Sequence, residues 1–283
     1  MKAVTLGPAG TYSHRAARAV ADDVEFRESV TAIVDAVADG DYARGVVPIE
    51  NSIEGSVTET LDALSNREVA VTQEIVTPIR HALLAQSGNF ETVASHSQAL
   101  AQCRSYLEAE YPEVNLEAVA STARGVERAR NDPTVAGIGH PDNASGPRPE
   151  GSQTESDAAG DDLEIIAEDL QDRKSNATRF FVVAPMSERS DAGGKSSVVV
   201  YPNANYPGLL LELLEAFAER DINLSRIESR PSGDRLGDYL FHLDFEAGLY
   251  EDRAQEALED VEEIARKGWV RRLGSYDTRH VLY

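Results

Sequence analysis

The apolar pattern of the chain changes character at residue 197, and this change narrows the folds open to it. From there the order is a strand at Ser197–Tyr201, then a helix with Leu210, Leu213, Leu214 and Phe217 on one face. A strand at Leu224–Ser229 follows. In the next one, Tyr239, Phe241, Leu243 and Phe245 alternate with Leu240, His242, Asp244 and Glu246 as in a half-buried strand. A second helix carries Ala254, Leu258, Val261 and Ala265, and Trp269–Tyr276 is the last strand. The order βαββαβ over roughly 80 residues specifies a ferredoxin-like unit. One face of its sheet carries the helices, and the other is expected to be free to pair. Just before it, Ser187–Ser196 is rich in Ser and Gly and reads as a linker.

Residues 1–184 follow a different rule, with strand-like and helix-like segments alternating in the manner of an α/β fold. Val4–Leu6 and Gly45–Ile49 read as strands, and Val30, Ile33, Val34 and Val37 recur at helical spacing after Ser29. Val69–Ile79 and His81–Ala85 read as strands broken at Pro78. Ser97–Tyr111 reads as one amphipathic helix, and Phe180–Ala184 closes the region as a short strand. Residues 141–162 are rich in Gly, Pro, Ser and acid and read as a solvated surface loop. The expected division is a first, α/β domain at 1–186, a linker at 187–196 and a second domain at 197–283, in line with the two domains that 283 residues allow.

The net charge of −22 excludes nucleic acid and anionic membrane as natural partners. Lysine is confined to positions 2, 174, 195 and 267 while arginine is plentiful, a balance expected of a protein from a halophile. In such salt the Debye length falls to about 3 Å, so self-repulsion is screened and an anionic ligand is admissible. The single cysteine, Cys103, lies in a helical pattern and is expected to fill core. No Cys/His cluster has metal-ligand spacing, so no metal or cofactor is expected. With no leader-like N-terminus and no apolar run of membrane length, the cytoplasm is the expected location.

Polar clusters stand where strands end and helices begin: Gly10-Thr11-Tyr12-Ser13, Glu50-Asn51-Ser52, Ser95-His96-Ser97-Gln98, Ser121-Thr122 and Asn176-Ala177-Thr178-Arg179. Each alone is more often a helix cap. Together they mark strand carboxyl ends, where α/β sheets bind ligands and helix N-termini attract anions. Glu50 follows a buried run and reads as a general acid or, preferably, as an orienting residue with Asn51 and Ser52 as partners. In an extended Thr178-Arg179-Phe180, alternation puts Thr178 and Phe180 on one face and Arg179 on the other. Arg179 is accordingly expected to be structural rather than a direct ligand contact.

These stretches carry a resemblance. Gly7-Pro8-Ala9-Gly10-Thr11-Tyr12-Ser13, Val47-Pro48-Ile49-Glu50-Asn51-Ser52, Ser95-His96-Ser97-Gln98-Ala99-Leu100-Ala101-Gln102-Cys103, Ser121-Thr122-Ala123 and Asn176-Ala177-Thr178-Arg179-Phe180 resemble, in order, the motifs of prephenate dehydratases. Pro207-Gly208-Leu209-Leu210 and Glu228-Ser229-Arg230-Pro231 resemble the two effector motifs of the ACT domain attached to them. The departures are Ser97 in place of the usual proline, Leu209 in place of alanine, and a longer acidic loop. No chorismate mutase segment precedes Met1, so the resemblance is to the monofunctional form.

The resemblance implies two lobes of the type II periplasmic-binding-protein kind, crossing over near Val76–Ile79 and before Thr178, followed by an ACT domain. It implies conversion of prephenate to phenylpyruvate, CO2 and water without a cofactor, with Thr178 as proton donor. Thr11, Ser13, Glu50, Asn51, Ser52, Ser121, Thr122, Asn176, Arg179 and Phe180 would line the substrate site. L-phenylalanine would bind at Asn205, Pro207, Gly208, Leu209, Leu210, Glu228, Ser229, Arg230 and Pro231 as feedback inhibitor, in a homodimer or homotetramer joined through ACT domains. Arogenate dehydratase and a non-catalytic amino-acid sensor are the alternative functions.

Overall fold

The computed structural model describes residues 2–53, 55–145, 162–173, 175–233 and 235–281. Most of the acidic loop expected at 141–162 therefore lies outside the described residues. The chain runs β1 (Lys2–Leu6), α1 (Tyr12–Arg18), β2 (Asp23–Arg27), α2 (Val30–Ala38), β3 (Arg44–Asn51), β4 (Gly55–Ser56), α3 (Thr58–Asn66) and β5 (Val69–Pro78). It continues with β6 (Ala82–Ala85), β7 (Thr92–His96), α4 (Ser97–Gln102), α5 (Arg104–Glu110), β8 (Asn115–Val119), α6 (Thr122–Asn131), β9 (Val135–Gly139), β10 (Glu164–Ala167) and β11 (Ala177–Pro185). The last part holds β12 (Lys195–Tyr201), α7 (Leu209–Ala218), β13 (Leu224–Pro231), β14 (Tyr239–Phe245), α8 (Asp252–Ile264), β15 (Trp269–Tyr276) and β16 (Thr278–His280).

Two compact units result. The first comprises Met1–Leu6, Ala16–Thr77 and Thr178–Tyr283, and the second Gly7–Arg15 and Pro78–Ala177. The chain thus crosses between units at Thr77/Pro78 and at Ala177/Thr178, where crossovers were expected, and also at Leu6/Gly7 and Arg15/Ala16, where they were not. The linker at 187–196 joins two parts of the first unit.

The first unit contains two sheets. One has the strand order β16-β5-β11-β3-β1-β2, with β4 paired to β3. Strands β2, β1 and β3 are parallel, and β11 runs antiparallel to β3. Helix α2 starts at Ser29, whose hydroxyl accepts the Ala32 N–H, and buries Val30, Ile33, Val34 and Val37 against this sheet. The second sheet has the order β13-β14-β12-β15. Leu213, Phe217, Leu258 and Val261 of α7 and α8 pack with Val198, Val200, Phe241, Leu243 and Phe245 on one face of it. This is the ferredoxin-like βαββαβ unit expected from the pattern.

Its opposite face departs from expectation. It is not free to pair. Val199, Leu240, Leu273 and Tyr276 enter the same core as Leu61, Leu64, Val69 and Phe181 of the first sheet's layer. Strand β14 is consequently buried on both faces, with His242 and Asp244 about as inaccessible as Leu243. Polar residues at those positions are tolerated because each has a partner, as set out below. Trp269–Tyr276 is not the last strand: after β15, Thr278–His280 return as β16 and pair in parallel with β5.

The second unit is a sheet of order β10-β6-β9-β7-β8, with β7, β8 and β9 parallel. Its helices pack closely because Gly125 of α6 leaves no room for a side chain. A Cβ there would stand 2.3 Å from the Ala94 carbonyl oxygen. The helix expected over Ser97–Tyr111 is two helices, α4 and α5, separated at Cys103, whose φ of −108° and ψ of 12° end the first. Cys103 is fully buried in the core, as expected, and burial raises its thiol pKa to about 12.

Candidate active site and its supports

In the first unit the ladder between β3 and β11 sets the geometry. Thr178 stands opposite Asn51 and Arg179 opposite Glu50. The register then shifts, so Phe180 faces Pro48 and Ile49 is the extra residue on β3. Alternation along β11 holds through this bulge. The Arg179 guanidinium lies over the Phe181 ring at 5.8 Å, so Thr178 and Phe180 take the other face. Asn51 Nδ2 donates to Thr178 Oγ1 at 2.9 Å. The orientation of that amide is set by its other end, because Asn51 Oδ1 accepts the Ile53 N–H at 2.9 Å. Thr178 thus receives a hydrogen bond on oxygen, and its own O–H is left to donate elsewhere.

Arg179 faces three carboxylates. Its Nη1 donates to Glu50 Oε2 at 2.8 Å, its Nε and Nη2 to Glu74 Oε2 at 3.0 and 2.5 Å, and its Nη2 also to Asp244 Oδ2 at 3.0 Å. Glu74 additionally holds Lys195 Nζ and Thr278 Oγ1. Asp244 accepts from Arg226 Nε at 2.7 Å, Arg226 Nη2 at 3.1 Å and Ser197 Oγ at 2.6 Å. Burial opposes ionisation of Asp244, but the charge of Arg226 and its hydrogen bond, then Arg179 and Ser197, hold the carboxyl down at about 2. Glu74 is likewise penalised by burial and held below its usual range by Arg179, Lys195 and Thr278. The Arg179 side chain was singled out from sequence. Glu74, Arg226 and Asp244 were not, since each sits in a strand pattern that reads as ordinary alternation.

In the second unit the parallel strands β7, β8 and β9 end along one edge of the sheet, and each leads into a helical turn. His96 caps α4, Ser121 caps α6 by accepting the Arg124 N–H, and His140 caps the turn Pro141–Ala144. Thr122 is the first residue of α6. Thr11 caps α1 by accepting the His14 N–H, and Ser13 lies in its first turn. Gly10 has φ +81° and lies against Asn143, whose Nδ2 donates to the Gly10 carbonyl. Tyr12 donates to the Arg80 carbonyl, and its ring stands edge-on to both His81 and His140. Asn176 is buried with its Nδ2 on Gln102 Oε1, which also bonds His81 Nε2. Asn143, His81 and His140 lie outside the motifs that marked the site in the sequence, and Gln102 falls inside the Ser95–Cys103 motif without being singled out there. Among the described residues no group of three or more His, Cys, Asp or Glu could hold a metal ion, and no helix is long and apolar enough to cross a membrane.

The effector-motif residues divide by parity along β13. Arg226, Glu228 and Arg230 face the catalytic-type layer of the same unit. Glu228 Oε2 accepts from Ser56 Oγ at 2.9 Å, and Arg230 makes a two-point pair with Asp62 at 2.9 and 3.0 Å. Ser225, Ile227, Ser229 and Pro231 are exposed on the other side. Gly208 begins α7 with φ +97° and open space around it, while Asn205 Nδ2 donates to the Gly237 carbonyl. Leu209 is buried and Leu210 exposed.

His242 gives this interface a pH dependence. It lies 3.0 Å from Ser65 Oγ, and burial, then the nearby Arg226 charge, depress its pKa from 6.5 to about 3. The unfolded chain takes up the proton near 6.5, so between those values the unfolded state binds more protons and stability falls as the pH is lowered. The melting temperature is expected to drop as pH falls from 6.5 toward 3. In His242→Gln the drop should be shallower over the same window, as read by circular dichroism.

Fold and site together define an α/β ligand-binding scaffold joined to a ferredoxin-like regulatory module. The prephenate dehydratase family profile matches residues 3–188, and the ACT domain profile matches residues 204–263. The chain is 36% identical over 267 residues to a prephenate dehydratase of Methanocaldococcus jannaschii, covering 90% of this chain and 91% of the relative. It is 35% identical to one from Lactococcus lactis, covering 98% and 97%. A prephenate dehydratase of Arthrobacter aurescens, solved in complex with L-Phe, superposes with a TM-score of 0.83 at 32% identity, covering 98% of this chain and 90% of that one. The chain belongs to the prephenate dehydratase family and carries an ACT domain.

Proposed function

We propose that this chain converts prephenate to phenylpyruvate, CO2 and water in phenylalanine biosynthesis. The observation that carries the reading is the Thr178 hydroxyl, held from behind by the Asn51 amide at the carboxyl edge of β3. In the reaction the bond from ring to carboxylate breaks, its electron pair enters the ring, and the ring C–O bond breaks on the far side. Hydroxide leaves, acquires a proton and becomes water, and aromatisation drives both cleavages. An alcohol is too weak an acid to protonate the hydroxyl beforehand, so Thr178 acts by donating a hydrogen bond that strengthens as hydroxide develops. The bond it accepts from Asn51 polarises its O–H for that task.

Phe180 supplies an apolar wall on the same face. Ser13, Ser52, Ser121 and Thr122 offer O–H donors to a dianion in this reading, as do the N–H groups at the start of α6, while Thr11, whose hydroxyl donates to the Pro8 carbonyl, holds the start of α1. The amides of Asn51 and Asn176 serve as supports, the first on Thr178 and the second on Gln102. Glu50 orients Arg179 rather than acting as an acid. The division into a catalytic domain at 1–186, a linker at 187–196 and an ACT domain at 197–283 belongs to the same reading, and the two family profiles support it.

L-phenylalanine is the feedback inhibitor in this reading, seated between Asn205–Leu210 and the outward residues Ser229 and Pro231. Glu228 and Arg230 hold the strand from behind. The exposed Leu210, Leu211, Ile227 and Tyr239 fit a second copy of the chain, giving a homodimer or homotetramer. The charge of −22 and scarcity of lysine support a halophile's cytoplasm.

The test is release of phenylpyruvate from prephenate and of phenylalanine from arogenate, followed side by side in molar KCl. Prephenate is expected to give the higher kcat/KM. The opposite order would make the chain an arogenate dehydratase, and turnover of neither would leave a sensor.

A further inference from the structure

Strand β13 has two faces, and its inward face does not stop at the regulatory sheet. Arg226, 8% exposed, grips the fully buried Asp244 of β14 with two hydrogen bonds. Asp244 Oδ2 also accepts from Arg179 Nη2 of β11. Arg179 is bonded to Glu50, its ladder partner, and the next rung of that ladder is Thr178 with Asn51. One carboxylate therefore links the edge strand that carries the second effector motif to the strand that carries Thr178. All of these residues belong to one compact unit.

Such a link is stiff. A buried charge deprived of its partner is strongly destabilising, so the two guanidinia and the carboxylate keep their spacing when one of them moves. Both oxygens of Asp244 accept hydrogen bonds from Arg226, and Oδ1 accepts a further one from Ser197, which leaves the carboxylate little freedom to rotate away. A displacement of β13 would be passed on to Arg179 instead of being absorbed.

We infer that Asp244 is a positioning residue through which the effector strand acts on the catalytic strand: a ligand on the outward face of β13 displaces Arg226, Asp244 follows, and Arg179 carries the change to the rung beside Thr178. The inference rests on the proposed phenylalanine-regulated dehydratase. It differs from a wholly structural role because it separates effector binding from effector response.

Arg226→Lys tests it, since lysine keeps the buried pair but loses the two-point grip. Phenylpyruvate formation is measured against L-phenylalanine concentration, with L-phenylalanine binding measured by calorimetry on the same full-length protein. The expected result is an inhibitory concentration raised by about 5-fold or more, the lower end of ordinary allosteric coupling, with binding retained. Substrate-site ligands should then no longer alter L-phenylalanine affinity. A folded variant inhibited at the wild-type concentration overturns the inference, and so does a variant that loses binding together with inhibition. Should Arg226→Lys not fold, Ser197→Ala, which removes one of the two hydrogen bonds on Asp244 Oδ1 and so loosens the carboxylate, carries the same expectation and the same overturning results. A wild-type enzyme that turns over prephenate but ignores L-phenylalanine removes the regulatory reading and this inference while leaving the catalytic reading intact. L-phenylalanine bound by both proteins but inhibiting at its usual concentration only in wild type supports it.

Discussion

Thr178→Ala is expected to lower kcat on prephenate by about 10²–10³-fold, the usual cost of removing one donor from a developing oxyanion. KM should change little, because the hydroxyl matters most when the leaving oxygen gains charge. Thr178 is only 9% exposed and opposite Asn51 in the ladder, so the substitution removes one hydrogen bond and a methyl group without disturbing the strand register. Thr178→Ser keeps the hydroxyl and should retain most of the activity. Steady-state phenylpyruvate formation by purified variants reads both. A loss in Thr178→Ser as large as that in Thr178→Ala would assign the role to packing instead of to the O–H.

The second large effect is on stability. Arg179→Met is expected to destabilise the chain by about 3–5 kcal/mol, because it leaves buried carboxylates without their shared cation. Glu74 and Asp244 are almost inaccessible to water, and Arg179 is the only residue bonded to both of them and to Glu50 among the bonds described. Arg179→Lys keeps the charge but cannot span three acceptors, so it should fall between wild type and Arg179→Met. Chemical denaturation in high salt measures this, since buried pairs are screened less than surface ones. A rise in KM with normal stability in either variant would mean that the guanidinium is held for substrate.

The sequence made these two neighbours legible to different degrees. Thr178 and Asn51 stand in polar clusters at the ends of apolar runs, several of which together mark a ligand site where one alone would not, and period-two alternation separated Thr178 from Arg179. The partners of Arg179 were hidden. Asp244 lies 65 residues away in a strand whose alternation reads as one solvent-facing side, and only tertiary packing turned that side into an interface. His242 was hidden in the same way, its partner Ser65 being 177 residues distant. Strand β16 gave no signal because Thr278–His280 is three residues long and contains no apolar side chain. The split between α4 and α5 was masked because Cys103 continues the apolar stripe through the break.

The central claim, that Asn51 aims the Thr178 hydroxyl at the leaving oxygen, is tested most directly by a double-mutant cycle on kcat. Asn51→Asp replaces the donor with an acceptor, which would draw the hydroxyl proton inward and away from the substrate. Because the two residues act as one unit, Asn51→Asp should be severely impaired, and Asn51→Asp with Thr178→Ala should be no slower than Thr178→Ala alone. Near-normal turnover in Asn51→Asp, or losses that multiply in the double variant, would contradict the account.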